Sequence, residues 1–294
     1  MSANLPIESP LDLSERVLAL YDRGLTRGDS TGWRALDPFY TVASQQWTLV
    51  TGIPGSGKSE WLDALLVNLA SGGDWTFAFY SPENFPVELH ASKLIEKRAG
   101  QPFGAGPTPR MTRDEANVVQ QWVHEHFMWL APRHRSHVAL LDAAAKFRCA
   151  NKKFGVVLDP WNTLEHQRPH ALSETEYIAQ ALTDATNWVR ENDAHLWIVC
   201  HPAKIYKDAA TGKRPVPTPY DVAGSAHWYN KADNIVAVHR DQVDGGQDVE
   251  IHVQKVRFKH VGRLGAGTLK YDRVTGRYFD PPKTRDLGEA RYGE

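Results

Sequence analysis

Cysteine is nearly absent from this sequence: Cys149 and Cys200 are the two it has in 294 residues. That excludes a disulfide framework and a zinc quartet. Net charge is nearly absent as well, with 34 Lys plus Arg against 35 Asp plus Glu. A protein that coats a polyanion through bulk charge is excluded, whereas a local basic channel is not. No run of 18 apolar residues occurs, and the N-terminus lacks the basic-then-apolar order of a secretory signal. These absences lead us to expect a soluble intracellular chain with no membrane partner. Apolar residues, in contrast, are plentiful: 41% of the chain is hydrophobic, with ten each of Trp, Tyr and Phe. That is enough for a sizeable core and excludes a disordered or low-complexity protein.

The order of patterns predicts an α/β fold. Short apolar runs at 47–52, 76–81, 126–132, 154–160, 195–200 and 234–240 suit strands buried on both faces. Helical patterns lie between them, at Glu60–Ala70 and Val87–Arg98, and after Thr112 and Ser173. Thr112 with Glu115, and Ser173 with Glu176, have capping-box spacing. Such alternation means βαβ units and a mostly parallel sheet. From Val249 the pattern changes to alternating strands, with a turn at Thr275–Gly276, which reads as an antiparallel edge. An amphipathic helix over Leu11–Leu25 precedes a Gly-rich break at Gly24, Gly28 and Gly32. We therefore expect an arm over 1–30, one α/β domain over 31–280 and a tail over 281–294.

One motif carries chemistry on its own. Residues 52–59, Gly52-Ile53-Pro54-Gly55-Ser56-Gly57-Lys58-Ser59, fit G-x-x-x-x-G-K-[ST] between a buried strand and a helix that begins near Glu60. Backbone N–H groups in such a loop turn inward around phosphates, aided by the helix N-terminus. Lys58 would reach the β- and γ-phosphates of ATP or another nucleoside triphosphate, and the Ser59 hydroxyl would bind Mg²⁺. Asp159, at the end of an apolar strand, suits the second carboxylate on the metal side. Glu83, in Ser-Pro-Glu-Asn after the next strand, has the chemistry to orient and deprotonate a water; its plainer reading is an acid near the N-terminus of the following helix. His201 closes another strand, where it would meet the γ-phosphate or face solvent.

Two further regions are charged. The stretch from Pro202 to Gly224 is long and Pro-rich, and its cations Lys204, Lys207, Lys213 and Arg214 suit a nucleic-acid phosphate track or a solvated loop. From Ile251 to Glu294 there are ten Lys plus Arg and five Asp plus Glu. Lys255 and Arg257 alternate with apolar residues on one strand face, as an arginine finger and its neighbour would, or as cations that protect an exposed edge.

Taken in order, the P-loop, SPEN, VVLDP, IVCHPAK, AGSAHWYNKADNIVAVHR, QKVRF and LKYDRVTG resemble the hexameric replicative helicase module of Twinkle-type and phage primase–helicases, relatives of bacterial DnaB. The resemblance runs from about Leu11 to Phe279. It implies a RecA-like P-loop core that unwinds DNA 5′ to 3′ as a hexameric ring. Glu83 then matches the catalytic glutamate, Asp159 the second metal-side acid and His201 the γ-phosphate sensor. Lys255 and Arg257 match the pair that reaches the neighbouring subunit's nucleotide, and Arg240 and Tyr271 the positions that sandwich the base. Gly224, Ser225 and Asp233 fit the segment between sensor and finger, where Asn230 stands in place of the family's usual Gln and shortens a coupling side chain by one methylene. The arm matches the linker helix that packs on the next protomer. Single-stranded DNA, further copies of the chain, and a primase or polymerase are the implied partners. The implied compartment is the cytoplasm of a bacterial or phage-infected cell, ahead of the mitochondrial matrix. Thirty residues ahead of Thr31 are too few for a primase, so the sequence reads as a free-standing motor or as a module of a longer protein. Two rival classes remain at this point: a recombinase- or clock-type ATPase that assembles without unwinding, and a small-molecule kinase.

Overall fold

The computed structural model describes residues 10–203, 205–208, 212–222, 224, 226–240 and 246–282. Lys204, Ser225 and the tail from residue 283 onward lie outside these described residues.

Each of the six apolar runs forms a strand: β1 (Gln46–Thr51), β2 (Trp75–Tyr80), β3 (Phe127–Trp129), β4 (Lys153–Leu158), β5 (Ala194–Val199) and β6 (Asn234–His239). The alternating C-terminal segment adds β7 (Asp248–Val256), β8 (Gly265–Tyr271) and β9 (Tyr278–Phe279). All nine form one sheet in the order β3-β2-β4-β5-β1-β6-β7-β8-β9. Pairing is parallel from β3 through β6 and antiparallel from β6 to β9. Gly276 supports the last turn in a left-handed conformation, at φ 66°.

The helices are α1 (Pro10–Arg23), α2 (Lys58–Gly72), α3 (Val87–Ala99), α4 (Arg113–His126), α5 (His137–Ala145), α6 (Glu174–Glu191) and α7 (His227–Lys231). Both expected capping boxes are present. Glu115 N donates to Thr112 Oγ1 and Glu176 N to Ser173 Oγ, each at 3.3 Å, and each glutamate accepts from the cap's own N–H in return. Such a cap is worth about 1 kcal/mol.

Helices cover both sheet faces because the central strands are apolar on both. One core layer gathers Trp61, Trp75, Phe77, Phe79 and Trp197 under α2, α3 and α4. The other gathers Trp47, Phe154, Trp161, Trp188 and Trp228 under α5, α6 and α7. Gly155 in β4 makes room for the first: a Cβ there would lie 2.6 Å from Phe77 Cδ1 and 2.7 Å from Trp197 Cζ3.

Two local expectations need correction, and two short helices were not expected. The run 126–132 gives a strand of only Phe127–Trp129, because α4 passes directly into it and His126 is still helical, with Nδ1 bonded to Trp75 O at 2.7 Å. The arm helix ends at Arg23, before Gly24, whose φ is 75°. Helices α5 and α7 have nine and five residues, too short for their periodicity to stand out in the sequence. Among the described residues, no helix is long and apolar enough to cross a membrane.

Candidate nucleotide site

In an open α/β sheet, ligands sit outside the carboxyl ends of the parallel strands. Here the ends of β1, β4 and β5 lie side by side, and the loop after β2 joins them. Residues 52–57 link β1 to α2. Gly55 and Gly57 have φ of 77° and 91°, a region costly to side chains, and a Cβ on Gly52 would lie 2.4 Å from Val238 O. The loop therefore needs glycine at these positions. Lys58 is buried and donates to Gly52 O at 2.9 Å and Ile53 O at 3.2 Å. Burial lowers its pKa, while Asp159, Glu83 and Cys200 act to raise it.

The cradle also holds buried polar atoms without hydrogen-bond partners. Thr51 Oγ1, Ser56 Oγ and His201 Nδ1 are such atoms, clustered on the loop and beside it. The left-handed glycines, the Lys58 ammonium held inside the loop and the unpartnered Ser56 hydroxyl fit a polyphosphate. A divalent cation also fits at its edge: the Ser59 hydroxyl hydrogen-bonds Asp159, and both groups have the oxygen chemistry Mg²⁺ prefers. Asp159 is buried, which raises its pKa to about 6, with Asp63 and Glu83 adding repulsion against Ser59 and Lys58. A cation at that carboxylate would relieve its burial.

Glu83 lies ahead of Pro86, the N-cap of α3, and Glu88 takes the acidic place in that helix's first turn. The carboxylate of Glu83 instead stands 3.9 Å from His201 Nε2. His201 is lowered in pKa by burial and by Lys58, so its imidazole is favoured in the neutral form. The loop, Glu83, Asp159 and His201 thus converge from four places in the sequence.

Glu60 lies in the first turn of α2, but its carboxylate is held by Lys97 at 2.5 Å and Lys93 at 2.9 Å. Burial would raise this carboxyl, and the two ammonium groups more than offset it. Arg240 and Tyr271 are brought together, with the guanidinium 5.4 Å from the ring centroid. Tyr271 also lies 5.0 Å from the ring of Tyr278, whose hydroxyl approaches the P-loop at Gly57.

Lys255 and Arg257 lie away from the P-loop, at the C-terminal end of α7. Lys255 Nζ donates to the carbonyls of Tyr229 and Asn230, and Arg257 Nη2 to those of Asn230, Lys231 and Ala232. Arg257 Nε also pairs with buried Asp233 at 2.7 Å. Lys207, Lys213 and Arg214 are exposed on the loop after β5. That loop is tied to the neighbouring elements: Gln254 Nε2 donates to Pro217 O at 2.7 Å, and Thr175 Oγ1 to Gly224 O at 3.3 Å.

Several site neighbours escaped the sequence reading. Asp63, one helical turn after Ser59, accepts from His90 Nε2 at 3.1 Å, and Trp129 Nε1 donates to His90 Nδ1 at 3.0 Å. The i, i+4 spacing from Ser59 placed Asp63 on the same helix face and was the available signal. Cys200 is buried between Asp159 and Lys58, and burial pushes its thiol well up.

Comparison with known proteins defines the class first. A DnaB-like replicative helicase, described with its interactions with primase, superposes with a TM-score of 0.77 at 18% identity, over 94% of this chain and 69% of that one. An isolated ATPase domain gives 0.74 at 17%, over 92% and 99%. The RadB recombinase gives 0.57 at 14%, over 86% and 99%. The fold is the RecA-type ATPase fold with the DnaB arrangement. In sequence, the chain is 39% identical over 293 residues to the chloroplastic/mitochondrial Twinkle homolog of Arabidopsis thaliana, a match covering 95% of this chain. It spans about 40% of that relative's length. In fold the chain is similar to DnaB-like helicases, and in sequence to a Twinkle homolog. No protein-family model matches it.

Proposed function

We propose that this chain is the ATP-driven motor of a replicative DNA helicase, forming a hexameric ring of identical subunits that moves 5′ to 3′ on single-stranded DNA and unwinds duplex. The observation that carries this reading is the 39% identity to a Twinkle homolog across 95% of the chain, on a P-loop site whose parts converge. It favours a helicase over the recombinase and clock-protein readings.

In this reading, residues 52–60 hold the phosphates of ATP or another NTP or dNTP, with Lys58 as the cation. Ser59 and Asp159 hold Mg²⁺, which when bound neutralises charge on the phosphates. Glu83 orients the attacking water and takes its proton. His201, beside Glu83, reports the γ-phosphate to the loop that follows it. Arg240 and Tyr271 flank the base, and a neighbour's Lys255 and Arg257 complete the charge neutralisation. Lys207, Lys213 and Arg214 track DNA phosphates, joined by Lys204 and Ser225. Residues 1–30 serve as the linker arm, 31–280 as the motor and 281–294 as the tail. A primase or polymerase is the further partner class. The compartment is one that holds replicating DNA, which we read as the cytoplasm of a bacterial or phage-infected cell; the organellar address belongs to the Arabidopsis relative.

The test is strand displacement on a forked duplex with one labelled strand. ATP-dependent release is expected with a 5′ single-stranded tail and not with a 3′ tail alone. DNA-stimulated ATPase activity without release on any fork would return the chain to the assembling-ATPase class.

A further inference from the structure

The residue beside Ser59 and the residue beside Glu83 are held by one side chain. Lys93, on α3, donates from Nζ to Glu60 Oε1 at 2.9 Å and to Asn84 Oδ1 at 3.2 Å. Glu60 follows Ser59 directly at the start of α2, and Asn84 follows Glu83 in the loop after β2. Asn84 in turn closes that loop: its backbone N donates to Ser81 O at 3.1 Å and its Nδ2 to Ser81 Oγ at 2.9 Å. The other Glu60 oxygen is occupied by Lys97, which is almost fully buried, so Glu60 cannot turn away. Lys93, in contrast, is 39% exposed, so it is not part of the core.

The Ser81–Asn84 turn can exist without Lys93, but its placement against the P-loop helix then has no such anchor. A carboxylate that activates water depends on placement within a fraction of an ångström. We infer that Lys93 is a positioning residue for hydrolysis, fixing the Glu83 loop to the P-loop helix through Glu60 on one side and Asn84 on the other. The inference rests on the reading of Glu83 as the water-activating carboxylate. Burial lowers the Lys93 pKa, but Glu60, Asp63 and Asp159 more than offset it, which keeps the bridge charged.

The experiment compares the full chain with Lys93→Met, Asn84→Ala, the double variant and Glu83→Gln, each measured for steady-state ATPase and for affinity to a fluorescent non-hydrolysable ATP analogue. Lys93→Met and Asn84→Ala are each expected to lower kcat by roughly ten- to a hundredfold while affinity stays within about twofold. The double variant should be no slower than the slower single one, because both break the same bridge. Wild-type kcat in Lys93→Met, a loss confined to nucleotide affinity, or effects that multiply in the double variant would each overturn the proposal. Glu83→Gln separates it from the reading beneath it. An inactive Glu83→Gln beside a fully active Lys93→Met sinks the Lys93 role alone, whereas an active Glu83→Gln removes the role of Glu83 and, with it, that of Lys93.

Discussion

Arg257 donates from Nη2 to the backbone carbonyl of Asn230 at 3.3 Å, and Lys255 Nζ donates to the same oxygen at 3.2 Å. The pair proposed as finger and neighbour therefore meets the proposed coupling segment through main chain, at a helix end where carbonyls favour cations. The missing methylene of Asn230 relative to Gln does not enter that contact. Asn230→Ala should keep basal ATPase within about twofold of wild type, as expected where the pair is met by the backbone carbonyl, which alanine retains. Steady-state ATPase with and without single-stranded DNA checks this. A basal rate kept while DNA stimulation disappears would assign coupling to the Asn230 side chain instead.

Lys58→Ala and Glu83→Gln should fail in different ways. Lys58 is the buried cation of the loop, so its loss should abolish hydrolysis and weaken nucleotide binding. Glu83→Gln keeps the shape and one acceptor oxygen but cannot take a proton, so it should bind normally and turn over slowly, by a factor on the order of 10² to 10⁴. Analogue titration beside single-turnover hydrolysis distinguishes the two. Equal loss of affinity in both variants would contradict the division of roles.

His195 predicts an acid sensitivity of the fold itself. Its Nδ1 donates to Ala43 O at 2.6 Å, so the neutral ring must accept at Nε2 from the Thr48 hydroxyl at 2.9 Å. Thr48 then accepts from Tyr40, which accepts from Trp197 Nε1, a consistent chain beneath the sheet. Burial pushes the imidazole down to about 4, with the Ala43 bond opposing. The unfolded chain thus binds the proton more tightly between about pH 6.5 and 4, and stability falls as pH drops through that window. The full effect is about 3 kcal/mol, of which about 2 kcal/mol is gone by pH 5. Urea melts of wild type and His195→Gln at pH 7.5 and 5 should show the gap between them narrowing at pH 5. A constant gap would contradict the buried neutral assignment.

The sequence made the sheet and the P-loop readable for the same reason. Strands buried on both faces need continuous apolar runs, and a phosphate cradle needs glycines at fixed spacing, so both leave local signals. Capping boxes at Thr112 and Ser173 are local as well, and both ends fell where expected. What escaped was created by tertiary approach. Nothing near Lys93 announces Glu60, and nothing near His90 announces Asp63 or Trp129. Lys255 and Arg257 were visible as a pair expected on one strand, but β7 ends at Val256 and leaves Arg257 just beyond it, and their grip on the α7 carbonyls depends on a five-residue helix too short to read.

The loop after β5 should contribute charge without sequence preference. Reversing Lys213 and Arg214 together should weaken single-strand binding uniformly and lower the salt slope by about two, since fewer counterions are released. Fluorescence anisotropy across a salt series measures both. Unchanged affinity and slope would make the loop a solvated connector.

In the proposed ring, one subunit's Glu83 and its neighbour's Arg257 serve the same nucleotide. Arg257→Ala should bind ATP nearly normally and hydrolyse it slowly, by a factor on the order of 10³. Glu83→Gln damages the same composite site from the opposite side. The most direct measurement is ATPase activity after mixing these two inactive proteins on single-stranded DNA, with both chains verified in the recovered assembly. Activity well above either protein alone is the predicted result, because some interfaces then pair an intact Glu83 with an intact Arg257. A verified mixed assembly that stays as inactive as its parts would contradict the shared site.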